Sequence, residues 1–247
     1  MYVDEVGNAQ APPLLLLHGG GVAGWMWRPV AERLGAKARI IVPDLPGHGN
    51  SAAEPYRSHE STAQALVKVL EERAPHGATV AGFSLGAQLT ILLAATRPDL
   101  VTSALVVSAQ AKPLRFPGAT LGLLAATAPL ARQEWFAKLQ AKQLFIPDEL
   151  LADYVRDSAR TSRATLLASV GENIRFTLPA GWSEFKNPAL VMVGERERGL
   201  MHASARAIHS AAPRQPADHR TGLRPRHPPS SARTCSPTIT PSARKPS

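Results

Sequence analysis

At 247 residues, 44% of them hydrophobic, the chain is long enough for one large α/β domain with an insertion and apolar enough for a sizeable core. No apolar run approaches the ~18 residues that a spanning helix needs, so no membrane segment is expected. The net charge of +9 suggests nucleic acid, but most of the excess lies from Arg214 onward, and no specific nucleic-acid partner is expected.

The first ten residues, MYVDEVGNAQ, carry acids where an export signal needs basic residues, so a cytoplasmic location is expected. Short, continuously apolar runs then predict strands at residues 14–17, 39–43, 79–83, 104–108 and 189–193. Continuous rather than alternating apolar character fits strands covered on both faces. Helical patterns lie between them, at residues 61–73 and 85–96, with Pro98 closing the second. Strands alternating with helices predict an α/β fold with a doubly wound, mostly parallel sheet.

The alternation stops after Ser108. Residues 112–184 show no strand pattern, and helices are predicted near 119–128, 133–143, 148–158 and 162–171, punctuated by prolines. An all-helical insertion between two strands predicts a cap over the C-terminal edge of the sheet, where such folds bind ligands. A strand then resumes at Ala189, with a helix at about 201–212. The expected organisation is a core of residues 1–110 and 186–213, a helical cap of 111–185 and a tail of 214–247. That tail has seven basic residues, one acid and seven prolines, a composition that does not fold alone. The single cysteine, Cys235, lies in it and supports neither a disulfide nor a metal site.

The stretch Val80–Gln88, VAGFSLGAQ, fits the G-x-S-x-G elbow, with Ser84 between Gly82 and Gly86, a strand before and a helix after. A serine hydroxyl becomes a nucleophile when a base takes its proton. Glycine at the two flanking positions removes the Cβ atoms that would strike neighbouring backbone in so tight a turn. Upstream, LLLLHGGGVAGWMW puts His18, Gly19, Gly20 and Gly21 at the end of the first strong strand. Acyl transfer needs two N–H donors for the tetrahedral oxyanion. Leu85, the residue after the nucleophile, is expected to supply one, and Gly20 the other, with Gly21 next in line. His18 is read as a structural residue of that loop, and Trp25, Met26 and Trp27 as packing.

Three stretches, HGGGVAGWMW, VPDLPGHGNS and VAGFSLGAQ, occur in order. With them the chain resembles α/β-hydrolases of the serine-hydrolase superfamily, in the small cap-bearing esterase and C–C-hydrolase-like group. The resemblance runs from residue 1 to about 212. It implies that residues 44–51 form a loop near the site, in which Asp44, Gly47, His48 and Gly49 are structural. It implies an acid after the strand that follows the cap, where LVMVGERERG offers Glu197, three residues after Gly194. Glu195, Arg196, Glu197 and Arg198 also read as a solvated turn of paired charges, and both readings stand.

The resemblance further implies a general-base histidine in a turn after one more strand. His202 and His209 fall in a helical pattern, and His219 and His227 in the tail, so none fits. Reading the tail one base out of frame from Arg214 permits an apolar strand followed by PGxGHGIPL, its histidine spanning the Pro225 and Arg226 codons. The last strand, the histidine turn and the last helix are therefore expected to be missing through a single-base shift near residues 211–214. The expected activity is hydrolysis of a small hydrophobic carboxylic ester, or a related acyl or C–C bond, through an acyl-enzyme on Ser84, with no cofactor and no metal. The alternative is a catalytically impaired ligand binder that lacks the histidine.

Overall fold

The computed structural model describes residues 1–144 and 146–212. Six strands form one sheet in the order β1-β3-β2-β4-β5-β6: β1 Val3–Gly7, β2 Pro13–Leu17, β3 Arg39–Pro43, β4 Ala78–Phe83, β5 Val101–Val107 and β6 Ala189–Met192. Five of them run parallel, and β1 pairs antiparallel with β3. The sequence reading missed β1. Its residues alternate at the sheet edge and carry Asp4 and Glu5, so the run has no continuous apolar signature. Glu5 holds that edge through ion pairs to Arg39 and to Arg73, the latter at 3.1 Å.

Each central strand buries both faces. Leu15 and Leu17 of β2 and Ile41 of β3 enter one core cluster, while Leu16, Ile40 and Val42 enter another on the opposite face. This is the period-two geometry of a strand acting on an unbroken apolar run. Helix α2 (His59–Arg73) and helix α3 (Leu85–Thr96) cover the first face with Leu66, Leu70, Leu89 and Leu93. Helix α1 (Arg28–Leu34), also missed from sequence, covers the second with Ala31 and Leu34.

Between β5 and β6 stand four helices: α4 Pro117–Ala131, α5 Glu134–Gln143, α6 Asp148–Arg160 and α7 Arg163–Arg175. Three extend beyond the expected spans. Helix α4 begins on Pro117, whose missing N–H costs nothing in a first turn, and runs through Pro129 into its last turn. Helix α7 is capped by Ser162, whose Oγ accepts from the N–H of Thr165 at 3.0 Å. After β6, helix α8 spans Gly199–Ala211. No described helix is long and apolar enough to cross a membrane.

Sheet order reverses at β2. The chain moves from β2 to β3 on one side, then returns to β4 on the other. Such a reversal opens a crevice at the C-terminal ends of the two flanking strands. Leu17 of β2 pairs with Gly82 of β4, so the loops after both strands start at the same level.

Candidate active site

The loop after β4 is one residue long. Ser84 links β4 directly to α3 with φ 53° and ψ −112°, a backbone state that L residues rarely adopt. Its surroundings fix that state. The N–H of Ser84 donates to the carbonyl of Val107 at 2.9 Å, and its carbonyl accepts from Ala87 and Gln88 at 3.0 and 3.2 Å. A Cβ on Gly82 would stand 2.2 Å from the carbonyl oxygen of Gly86, and one on Gly86 2.3 Å from that of Leu17. Only glycine fits at either position.

The loop after β2 closes the crevice from the other side. Gly20, Gly21, Ser84 and Leu85 line one cavity of about 710 Å³, whose remaining wall comes from α4, α5, α6 and α7. Gly21 has φ 76°. Among the described residues, the N–H groups of Gly20 and Leu85 have no protein acceptor. The N-terminus of α3 begins at Leu85 and biases the same spot toward negative charge.

His18 is fully buried behind this loop. Its Nδ1 donates to the carbonyl of Gly19 at 2.8 Å, and its Nε2 accepts from the N–H of Leu45 at 2.9 Å. Burial, helped by neighbouring His48, pushes its pKa down to about 3, against the opposing bond to Gly19. The imidazole is neutral, and both its nitrogens are spent on holding two loops together. Asp44 ties the same region: its two oxygens accept from the N–H groups of Gly24 and Asn50 at 2.7 and 2.8 Å. Gly24 and Gly49 leave room for that carboxylate, since a Cβ on Gly49 would come within 2.5 Å of it. A Cβ on Gly47 would strike Thr165 of α7. His48 is buried, and its pKa is lowered by that burial.

Trp25 and Met26 pack with Val22, Ala137 and Tyr154, and Trp27 packs with the second core cluster. Trp25 adds a polar contact, donating from Nε1 to Asp157 of α6 at 2.8 Å. Gln88, inside the quoted elbow stretch but given no role from sequence, is fully buried. Its amide donates to the carbonyls of Gln110 and Asn173 and its oxygen meets His59 Nε2, joining α3 to α2 and α7.

Glu197 follows β6 in the turn that leads to α8. Its Oε1 accepts from Ser108 Oγ at 2.5 Å and from the N–H of Gly194 at 3.0 Å. Ser108, the residue after β5, is also in the left-handed region, at φ 54°. Sequence reading counted Ser108 as the end of a strand and gave it no part in the site.

Among the described residues, no side chain hydrogen-bonds Ser84 Oγ. His59 is committed to Tyr56 and Gln88, and His202 and His209 lie on α8. His219, His227, Cys235 and the shifted-frame histidine turn lie outside the described residues. Among the described residues, no group of three or more His, Cys, Asp or Glu is arranged to hold a metal.

A family model, that of the alpha/beta hydrolase family, matches residues 14–229. The chain belongs to the alpha/beta hydrolase family. The pimeloyl-acyl-carrier-protein methyl ester esterase of Vibrio vulnificus is 37% identical to it over 105 residues, which cover 42% of this chain and 40% of that protein. An esterase of Mycobacterium tuberculosis is 40% identical over 102 residues, covering 40% of this chain and 34% of that protein. The chain thus spans less than half the length of these curated hydrolase relatives. Among solved structures, a hydrolase from Pseudomonas aeruginosa superposes with a TM-score of 0.74 at 18% identity, covering 86% of this chain and 83% of that one. An enol-lactonase from Burkholderia xenovorans gives 0.70 at 19%, covering 87% and 85%. At such identity the likeness is one of fold.

Proposed function

We propose that this alpha/beta hydrolase is a serine esterase, cleaving a carboxylic ester or a related acyl or C–C bond of a small hydrophobic substrate. The observation that carries the reading is the shared cavity: Ser84, Leu85 and Gly20 line one hollow, with Ser84 on a strained turn and two N–H groups unspent. Ser84 Oγ attacks the ester carbon while a histidine takes the hydroxyl proton. The N–H groups of Gly20 and Leu85 hold the oxyanion. Collapse breaks the bond to the alcohol, which leaves with the proton from the histidine. Water then repeats the steps and frees the acid and Ser84. Glu197 orients and charge-balances the imidazole. The helical insertion, residues 111–185, acts as the cap that shapes the substrate cavity.

The base is the piece that no described histidine supplies, and we assign it to the one-base-shifted reading of the tail. This absence also favours a second reading, a hydrolase fold that binds a ligand under its cap and turns it over poorly. One experiment separates them. The chain as written and a chain carrying the shifted frame from Arg214 onward are treated with a fluorophosphonate probe and with p-nitrophenyl acetate. The first reading expects labelling at Ser84, lost in Ser84→Ala. It also expects turnover to rise on the order of 10³-fold or more in the shifted chain, as restoring a missing triad member does. No labelling of folded protein in either chain sinks the esterase reading. Equal turnover in the two sinks the shifted-frame assignment.

A further inference from the structure

We propose that Arg132 and Arg163 form an anion subsite in the cavity, and that the ester this protein takes carries a free carboxylate. The proposal rests on the esterase reading for the reacting end of the cavity and refines its substrate class from a neutral to an acidic ester. Ser84, Leu85 and Gly20 come from the sheet edge, whereas the two arginines come from the helical insertion. Among the described residues they are the only charged side chains on the cavity wall, and no Asp or Glu lines it.

An exposed arginine alone is an ordinary solvated residue. Two of them on one hollow without a countercharge are a different matter. A cleft with low-dielectric walls and one sign of charge concentrates its field on whatever enters. Among the described residues, neither arginine has a carboxylate within 4.0 Å. Arg132 directly follows α4, and its Nε donates to the carbonyl of Ala159 at 3.2 Å. That bond anchors the guanidinium and leaves its two Nη groups as a fork for a carboxylate. Arg163 is the first residue of α7, where the helix N-terminus adds to the positive potential. The neighbouring acids are engaged elsewhere: Glu134 pairs with Lys138, Asp157 with Arg156 and Trp25, and Glu172 with the N–H of His59.

Binding tests the subsite separately from catalysis. In Ser84→Ala protein, which cannot form an acyl-enzyme, calorimetry compares monoethyl glutarate, an anion, with diethyl glutarate, its neutral counterpart. The expected result is about tenfold tighter binding of the monoester, a preference that shrinks as salt is raised. The further change of Arg132→Gln with Arg163→Gln brings the ratio close to one and leaves the diester affinity unaltered, which also shows that the cavity is intact. Lys138→Gln, on the same insertion but off the cavity wall, keeps the preference. A parent that binds the two esters equally overturns the proposal, as does a double variant that retains the preference. The fluorophosphonate result at Ser84 reports on the esterase reading alone, so either conclusion can fail without the other.

Discussion

Ser108 Oγ donates to Glu197 Oε1 across two neighbouring strand ends, 89 residues apart in the chain. Gly194 donates to the same oxygen, so Oε1 is held twice and, among the described residues, Oε2 accepts no bond. A carboxylate fixed by one oxygen and open at the other suits a group that must orient an imidazole N–H. Glu197→Gln keeps an acceptor for Ser108 but removes the charge. If Glu197 is the acid, fluorophosphonate labelling of Ser84 in the chain carrying the shifted frame slows by about 10²–10⁴-fold, the scale seen when a triad acid is neutralised. Ser108→Ala frees the carboxylate without discharging it and slows labelling less, by about tenfold. If the group only braces the turn, both variants lose about 1 kcal/mol of stability and label at the parental rate. Unchanged labelling of Glu197→Gln removes it from the site.

The elbow glycines make a prediction about stability. A Cβ at Gly86 would meet the carbonyl oxygens of Leu17 and His18 at 2.3 and 2.6 Å. Both are backbone atoms of the neighbouring strand and loop, so α3 must move off β2 to admit it. Gly86→Ala therefore costs about 2–3 kcal/mol, the upper part of the usual overpacking range. Gly122, inside α4, has nothing within 4 Å of the same position. Gly122→Ala stabilises by about 1 kcal/mol, since alanine loses less backbone entropy in a helix. Urea midpoints measure both. Equal midpoints for parent and Gly86→Ala contradict the close approach of α3 to β2.

The division between what sequence showed and what it hid follows from the range of the forces involved. The central parallel strands were legible because burial on both faces leaves an unbroken apolar run, as in Leu15–Leu16–Leu17. The elbow and the glycine loop were legible because steric demands act on adjacent residues. Strand β1 was not, because one antiparallel edge needs only pairing with β3 and tolerates the acids that Arg39 and Arg73 then neutralise. The bonds of Ser108 to Glu197 and of Gln88 to Asn173 were not, because each joins residues more than 80 positions apart. No local pattern marks such a pair. Arg132 and Arg163 looked like scattered charges until the insertion brought them onto one wall.

Three buried histidines set the response to acid. His18, His48 and His59 all have pKa values lowered from the usual 6.5, in each case first by burial. Below 6.5 the unfolded chain takes up protons that the folded chain refuses. Their contribution to stability is therefore complete above pH 6.5 and is lost as the pH falls below it, down to about 3 for His18. Each fully neutral buried histidine costs about 1.4 kcal/mol per pH unit in that window. Glu5 adds little in this range, because the hydrogen bond from Arg39 holds its carboxyl below the usual 4.5. Urea unfolding at pH 7.5 and 5.5 is expected to show a drop of at least about 1.4 kcal/mol, the share of His18 alone, with His48 and His59 adding in the same direction and full recovery on return to pH 7.5. His18→Gln carries no titrating ring and offers an acceptor toward Leu45. It is less stable than the parent at pH 7.5, and its drop on acidification is smaller by about 1.4 kcal/mol. A variant that follows the parental pH slope means that His18 takes up its proton in the folded state, which its two hydrogen bonds inside the loop forbid.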